Sequence, residues 1–127
     1  MFNIEFYENV NGESDVKDFL RDLRNKAKSN KDARINFEKA VAYIDALEEA
    51  GTRIGQPITK HLEGEIWELR PLSNRILYAY YENNTYVLLH HFVKKTQKTP
   101  RREIEKAIKE IDDFKRRHKT DEHMERI

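Results

Sequence analysis

The chain contains no cysteine. Disulfides, thiolate metal sites and cysteine nucleophiles are therefore excluded. Glycine occurs 4 times and proline 3 times in 127 residues, which leaves neither a Pro/Gly/Ser linker nor a glycine-rich phosphate loop. No apolar run approaches the roughly 20 residues that span a bilayer. The N-terminus, MFNIEFYENV, lacks the basic and apolar regions of a signal peptide. The expected setting is the cytoplasm, away from any membrane. There is no internal repeat, no low-complexity tract and no serine in a nucleophile-elbow context.

What is present is charge and aromatic bulk. Charged residues make up 37% of the chain, yet 6 Tyr, 6 Phe and 1 Trp supply large groups to bury, which argues against disorder. The length suits one domain of about 100–150 residues. We expect a single domain over residues 1–119 and a flexible tail over 120–127. The net charge of +1 hides a gradient: residues 1–50 carry -3, residues 51–93 are neutral, residues 94–119 carry +6 and the last eight carry -2. A basic segment inside a neutral protein points to a local polyanion site or, more blandly, to a solvated helix rich in Lys and Arg.

Periodicity gives the elements. Phe2, Ile4 and Phe6 alternate, as a first strand would. A helix follows from about Ser14, its N-cap, to Lys28, with Val16, Phe19, Leu20, Leu23 and Ala27 on one face. A second runs from about Lys31 to Ala50, with Gly51 placed to end it. The period then changes to two. Residues 58–62 are a short strand or loop, 65–70 and 75–82 are strands, Asn83-Asn84 is a two-residue hairpin turn, and 85–93 is the last strand. Thr99 as N-cap and Pro100 at the first helical position open a C-terminal helix. Runs of helices and runs of strands, rather than alternation, indicate α+β: an N-terminal strand and two helices, an antiparallel sheet, and a C-terminal helix.

A two-residue turn at Asn83-Asn84 sets Tyr81 opposite Tyr86, Ala79 opposite Leu88, Leu77 opposite His90 and Arg75 opposite Phe92. A four-residue turn at 71–74 sets Arg70 opposite Arg75. Glu68, Arg70, Arg75, Leu77, His90, Phe92 and Lys94 then share one face. Trp67, Leu69, Ile76, Tyr78, Leu89 and His91 take the other, which is expected to pack on helices. Two opposed arginines repel unless splayed, bridged by Glu68, or separated by an anion. A surface ion-pair network of Glu68, Arg70 and Arg75, worth little stability, explains them as well. The same end also receives His90 and the loop from Lys94 to Lys98. Guanidinium groups beside a general acid or base are what a phosphodiester site requires. The five histidines show no metal-ligand spacing. Tyr81 and Tyr86 fall on the arginine face, as sheet packing or as contacts to a base.

The segments KHLEGEIWELR (Lys60–Arg70), RILY (Arg75–Tyr78) and LLHHFVKKTQKTP (Leu88–Pro100) resemble the HigB-like branch of the RelE toxin superfamily, a branch often labelled phage-derived. The match covers about residues 2–115 in the right element order. The resemblance implies a RelE-like fold and a type II toxin–antitoxin toxin that cleaves translated mRNA in the ribosomal 30S A site. Cleavage in that superfamily is metal-independent, by attack of the 2′-hydroxyl, and needs no cofactor. The implied protein partner is a HigA-like helix-turn-helix antitoxin, and operator DNA is reached only through it. The implied site lies on an open sheet face. By motif position, Arg75 contacts the scissile phosphate, Arg70 is a neighbouring basic position on the preceding strand, Lys94 and Lys95 hold phosphate or neutralise the leaving oxygen, and Lys98 grips RNA. Arg101, Arg102 and Tyr81 complete the expected RNA contacts. Glu68 stands where RelE itself has lysine, which leaves the base role open: Glu68 takes the 2′-hydroxyl proton or merely orients Arg70, and His90 is the other candidate acceptor. RelE's C-terminal tyrosine has no match here. A non-catalytic RNA- or ribosome-binding partner of a helix-turn-helix repressor is the alternative reading.

Overall fold

The structure, a computed structural model, describes the backbone of residues 1–126 and the side chains of residues 1–119. The elements in chain order are β1 (Asn3–Phe6), α1 (Asp15–Lys26), α2 (Lys31–Ala50), a short 3-10 turn (Gly51–Ile54), β2 (Thr59–Glu63), β3 (Ile66–Leu69), β4 (Asn74–Tyr81), β5 (Thr85–Val93) and α3 (Arg101–Arg126). The helix starts follow from local chemistry. Ser14 accepts a hydrogen bond from the Lys17 amide, and Asn30 accepts one from Ala33, each satisfying an amide that the helix leaves free. The segment at 58–62 is a true strand, β2. α3 continues past Lys119, where the apolar pattern stops. The tail expected over 120–127 concerns side chains outside the described residues.

The five strands lie in the order β1-β5-β4-β3-β2. Pairing is antiparallel from β2 to β5, as expected, but β1 runs parallel to β5, with Asn3 beside Thr85 and Phe6 beside Leu88. The helical pair between β1 and the rest of the sheet allows this return. One face of the sheet carries Leu69, Ile76, Tyr78, Tyr86 and Leu88, packed with Val16 of α1 and Leu47 of α2. The other carries Ile66, Leu77, Ala79, Val87 and Leu89, packed with Ala107, Ile111 and Phe114 of α3. Each helix therefore buries the stripe that its sequence spacing marks.

The β4–β5 register differs from the expected one in two places, and the differences cancel. Tyr81 pairs with Thr85, so the turn holds three residues rather than two, although Asn83 and Asn84 both take the left-handed φ expected of them. Leu89 is then an extra residue, bulged between the Tyr78–Leu88 and Leu77–His90 pairs. Beyond the bulge the expected partners hold, Leu77 with His90 and Arg75 with Phe92. Before it, the facing is reversed. Tyr86 lies on the α1/α2 face, against Phe2 and Tyr78, and Leu89 lies on the α3 face. Both corrections follow from one displaced residue.

Gly51 ends α2 with φ +67 where the chain passes beneath the aromatic edge of this core. A Cβ there would sit 2.8 Å from a Phe2 ring carbon and 2.8 Å from the Tyr86 hydroxyl oxygen. Gly51→Ala combines a strained φ with this clash. We expect a loss of about 2 kcal/mol, read as a lower urea midpoint at unchanged slope.

Candidate functional site

β3, β4 and the Lys94–Pro100 loop converge at the end of the sheet that α3 does not cover. Between them opens a cleft of about 620 Å³. Its wall includes Lys60, Arg70, Arg75, Lys94, Lys95, Lys98 and Arg102, with Glu68 and Glu103 as its only acidic members among the described residues. Seven bases against two acids make it strongly electropositive, and low-dielectric walls focus such a field. The arginine face is thus not an open sheet surface. α3 covers its middle, and what remains accessible is this cleft at the strand ends.

Glu68 sits on the cleft floor, 2% exposed. Its backbone carbonyl accepts from the Thr59 hydroxyl at 2.8 Å, which pins β3 against β2. Its carboxylate is the centre of the site. Oε1 accepts a hydrogen bond from the Thr99 hydroxyl at 2.6 Å. Oε2 lies 3.4 Å from Arg70 Nε and 4.0 Å from Arg75 Nε. The repulsion expected between the arginines is therefore bridged by this carboxylate, and the pairing is buried rather than superficial.

The two arginines differ in what they have left to offer. Arg75 is 5% exposed, and its Nη1 donates at 2.8 Å to the carbonyls of both Leu72 and Asn74. It holds its own turn closed. Burial lowers the pKa of its guanidinium from the ordinary value, Glu68 opposes this and Arg70 adds to it; an arginine remains charged at neutral pH even so. Arg70 keeps 23% of its side chain exposed to the cleft. Its Nε is buried and makes no hydrogen bond, because the Glu68 contact is poorly aligned.

The loop supplies further cations. Lys94, Lys95 and Lys98 are exposed along it. The Lys94 amide donates to Ser73 at 2.8 Å, and the Thr96 hydroxyl donates to the Lys98 carbonyl at 2.7 Å. Thr99 does not cap α3 with its side chain. That hydroxyl is turned to Glu68, and the Pro100 carbonyl accepts from the first free amides, Glu103 and Ile104. Arg102 reaches the cleft rim. Arg101 does not: it is paired with Glu63 and with Glu105 outside the cleft.

Two other expected site residues lie elsewhere. His90 is fully buried beneath α3, with Nδ1 2.5 Å from Glu110 Oε1 and Nε2 3.1 Å from Glu103 Oε1. It keeps the expected place opposite Leu77, but α3 covers it there. It has no exposed surface and is not among the residues that line the cleft. Tyr81 lies at the far end of β4, six residues or about 20 Å along the strand from Arg75. It packs edge-on to Phe114 and near His118. Conversely, Lys60 and Thr99 join the site unannounced. Lys60 pairs with Glu68 across β2 and β3, a neighbour that becomes visible once residues 59–63 are read as a strand.

His91 is a packed residue, as expected. Its ring stacks on Phe19 with centroids 3.6 Å apart, and Nε2 lies 3.0 Å from Asn74 Oδ1. Burial pulls its pKa down to about 4, against the opposing charge of Asp15. The unfolded chain takes up a proton at His91 near pH 6.5 that the folded chain refuses until about pH 4. Stability from this group is complete above pH 6.5 and falls as the pH drops towards 4. The urea midpoint should decline from pH 7 to pH 5, and His91→Phe should flatten that decline.

Among the described residues no group of three or more His, Asp or Glu is placed to hold a metal ion. No described helix is long and apolar enough to cross a membrane. A family model described as Phage derived protein Gp49-like (DUF891) matches residues 18–112. No curated protein sequence matches the chain. Among solved structures, the YoeB-YefM complex from Staphylococcus aureus is similar over 76% of this chain and 98% of that chain, with a TM-score of 0.45 and 15% sequence identity.

Proposed function

Since the chain belongs to the phage-derived Gp49-like family, we propose that it is the toxin of a type II toxin–antitoxin pair and acts as an mRNA endonuclease on the ribosome. The observation that carries this reading is the convergence of Arg70 and Arg75 on one buried carboxylate, at the floor of a cleft walled by the lysine loop. An RNA strand is the polyanion such a cleft suits. Guanidinium groups hold phosphate oxygens and stabilise the added charge of a pentacovalent phosphorus. In the proposed reaction the 2′-hydroxyl passes its proton to Glu68 and attacks the adjacent phosphorus in line. The bond to the 5′-oxygen breaks, that oxygen regains a proton, and a 2′,3′-cyclic phosphate remains. Arg70 faces the phosphate, Arg75 supports it from the floor, and Lys94 and Lys95 neutralise the departing oxygen. Lys98 and Arg102 hold the flanking backbone. The partner that neutralises the toxin is a HigA-like helix-turn-helix antitoxin, and contact with operator DNA passes through that partner.

One observation favours a second reading, RNA or ribosome binding without cleavage: both cleft carboxylates are engaged, Glu68 by Thr99 and the arginines and Glu103 by His90. Induced expression with mapping of RNA ends separates the two. Growth arrest with new ends in translated messages supports the endonuclease. Arrest without new ends supports binding alone, and normal growth with abundant folded protein counts against both.

A further inference from the structure

We propose that Thr99 is a positioning residue of the cleft, holding Glu68 in the one orientation that leaves Arg70 free to take a phosphate. The inference rests on the reading of the cleft as an RNA site.

Three polar groups meet the Glu68 carboxylate on the floor: the Thr99 hydroxyl, Arg70 Nε and Arg75 Nε. Only the Thr99 contact is a well-formed hydrogen bond, at 2.6 Å. The nearest guanidinium nitrogen, Arg70 Nε, is 3.4 Å away and unsatisfied although buried. A carboxylate beside an arginine ordinarily prefers the parallel two-bond fork. Here it does not form, and a buried donor is left without a partner, which is costly. Something must hold the carboxylate away, and the hydroxyl of Thr99 is the group placed to do so.

Consequences follow for both elements that Thr99 joins. Thr99 stands at the junction of the lysine loop and α3, so its bond to Glu68 also fixes the loop against the cleft floor. Without the hydroxyl, Glu68 Oε1 becomes a buried acceptor with no donor. The carboxylate is then free to turn and close the fork on Arg70. Arg70 would be neutralised in place, and the cleft would lose one phosphate contact without losing any cation. Thr99 thus acts on the substrate only through Glu68 and Arg70.

The test measures binding of a short single-stranded RNA whose 2′-hydroxyls are methylated, so that it cannot be cut. Affinity is followed against salt. Thr99→Val should weaken binding about fivefold or more and reduce the salt slope by roughly 0.7, the value for one phosphate contact on a single strand. Thr99→Ser should restore both. In a Glu68→Gln background no carboxylate remains to capture Arg70, so adding Thr99→Val should change little; this double-variant comparison isolates the coupling. Thermal melts accompany each variant, and the Glu68→Gln pair carries the test if Thr99→Val alone is poorly folded. An unchanged slope in Thr99→Val, or the same loss in the Glu68→Gln background, would overturn the proposal. Cleavage of the unmodified RNA is assayed in parallel. The slope change in Thr99→Val, together with wild-type protein that cuts nothing, retires the endonuclease reading and leaves the role of Thr99 standing.

Discussion

Arg70→Ala is expected to reduce RNA cleavage by roughly a hundredfold or more while leaving the melting temperature within a few degrees of wild type. Removing one preorganised donor from a transition-state charge typically has an effect of this size. The fold should tolerate the change because Arg70 contributes little to it. Its guanidinium forms no well-aligned bond with Glu68, and its buried Nε is unsatisfied; truncation removes that unsatisfied donor. Arg75→Ala is expected to behave differently, although both arginines share the cleft. It would strip the donor from the Leu72 and Asn74 carbonyls and leave Glu68 with less positive charge around it. A loss of about 2–4 kcal/mol follows from breaking such buried contacts. Inactivity of Arg75→Ala would therefore be ambiguous, whereas inactivity of Arg70→Ala would not. The comparison needs steady-state cleavage and a urea titration for each variant. Wild-type activity in Arg70→Ala would remove the central support for a phosphate site.

His90→Ala should show the reverse pattern: a large loss of stability, with residual activity per folded molecule. The ring is wholly buried and bridges Glu103 and Glu110, seven residues apart on α3. Removing it leaves two carboxylates facing a cavity, and breaking a buried pair in this way costs about 3–5 kcal/mol. For a domain of this size the melting temperature should fall by on the order of 10 °C or more. The cleft itself does not include His90, so cleavage measured well below the melting point should persist. Had His90 been the proton acceptor, activity would vanish while the melting point stayed near wild type. Calorimetry and a cleavage assay on the same preparation decide between these outcomes.

Much of the architecture was legible because it depends on local periodicity. The apolar stripes of α1, α2 and α3 and the hairpin strands all follow from spacing alone, and the second helix occupies the expected residues. The gathering of Arg70, Arg75, Glu68 and the lysine loop was legible too, since strand register past the bulge came out as expected. The bulge itself was not. Val87, Leu88 and Leu89 are all apolar and suit either face, so nothing in their identities marks which residue is unpaired. That one ambiguity misplaced Leu89 and Tyr86. What lies beside His90 was hidden for another reason: a buried histidine and an exposed one look alike until the covering helix is known. The parallel pairing of β1 was equally silent, since alternation reveals a strand but not its partner. Thr99 illustrates a different limit. A threonine before proline at a helix start reads as a cap, and only the tertiary approach of Glu68 redirects its hydroxyl.

The parallel seat of β1 has a bearing on solubility. β5 is the longest strand, and β1 lies along the edge that it would otherwise present. An uncovered strand of that length is a template for pairing with another copy of itself. Only four residues provide the cover, and they join a strand more than eighty residues further along the chain. Losing residues 1–7 would leave the cleft intact but turn β5 into a sticky edge, so such a truncation should assemble into larger species on a sizing column. The short N-terminal strand is in this sense a guard against self-association, held in place by the last strand to be made.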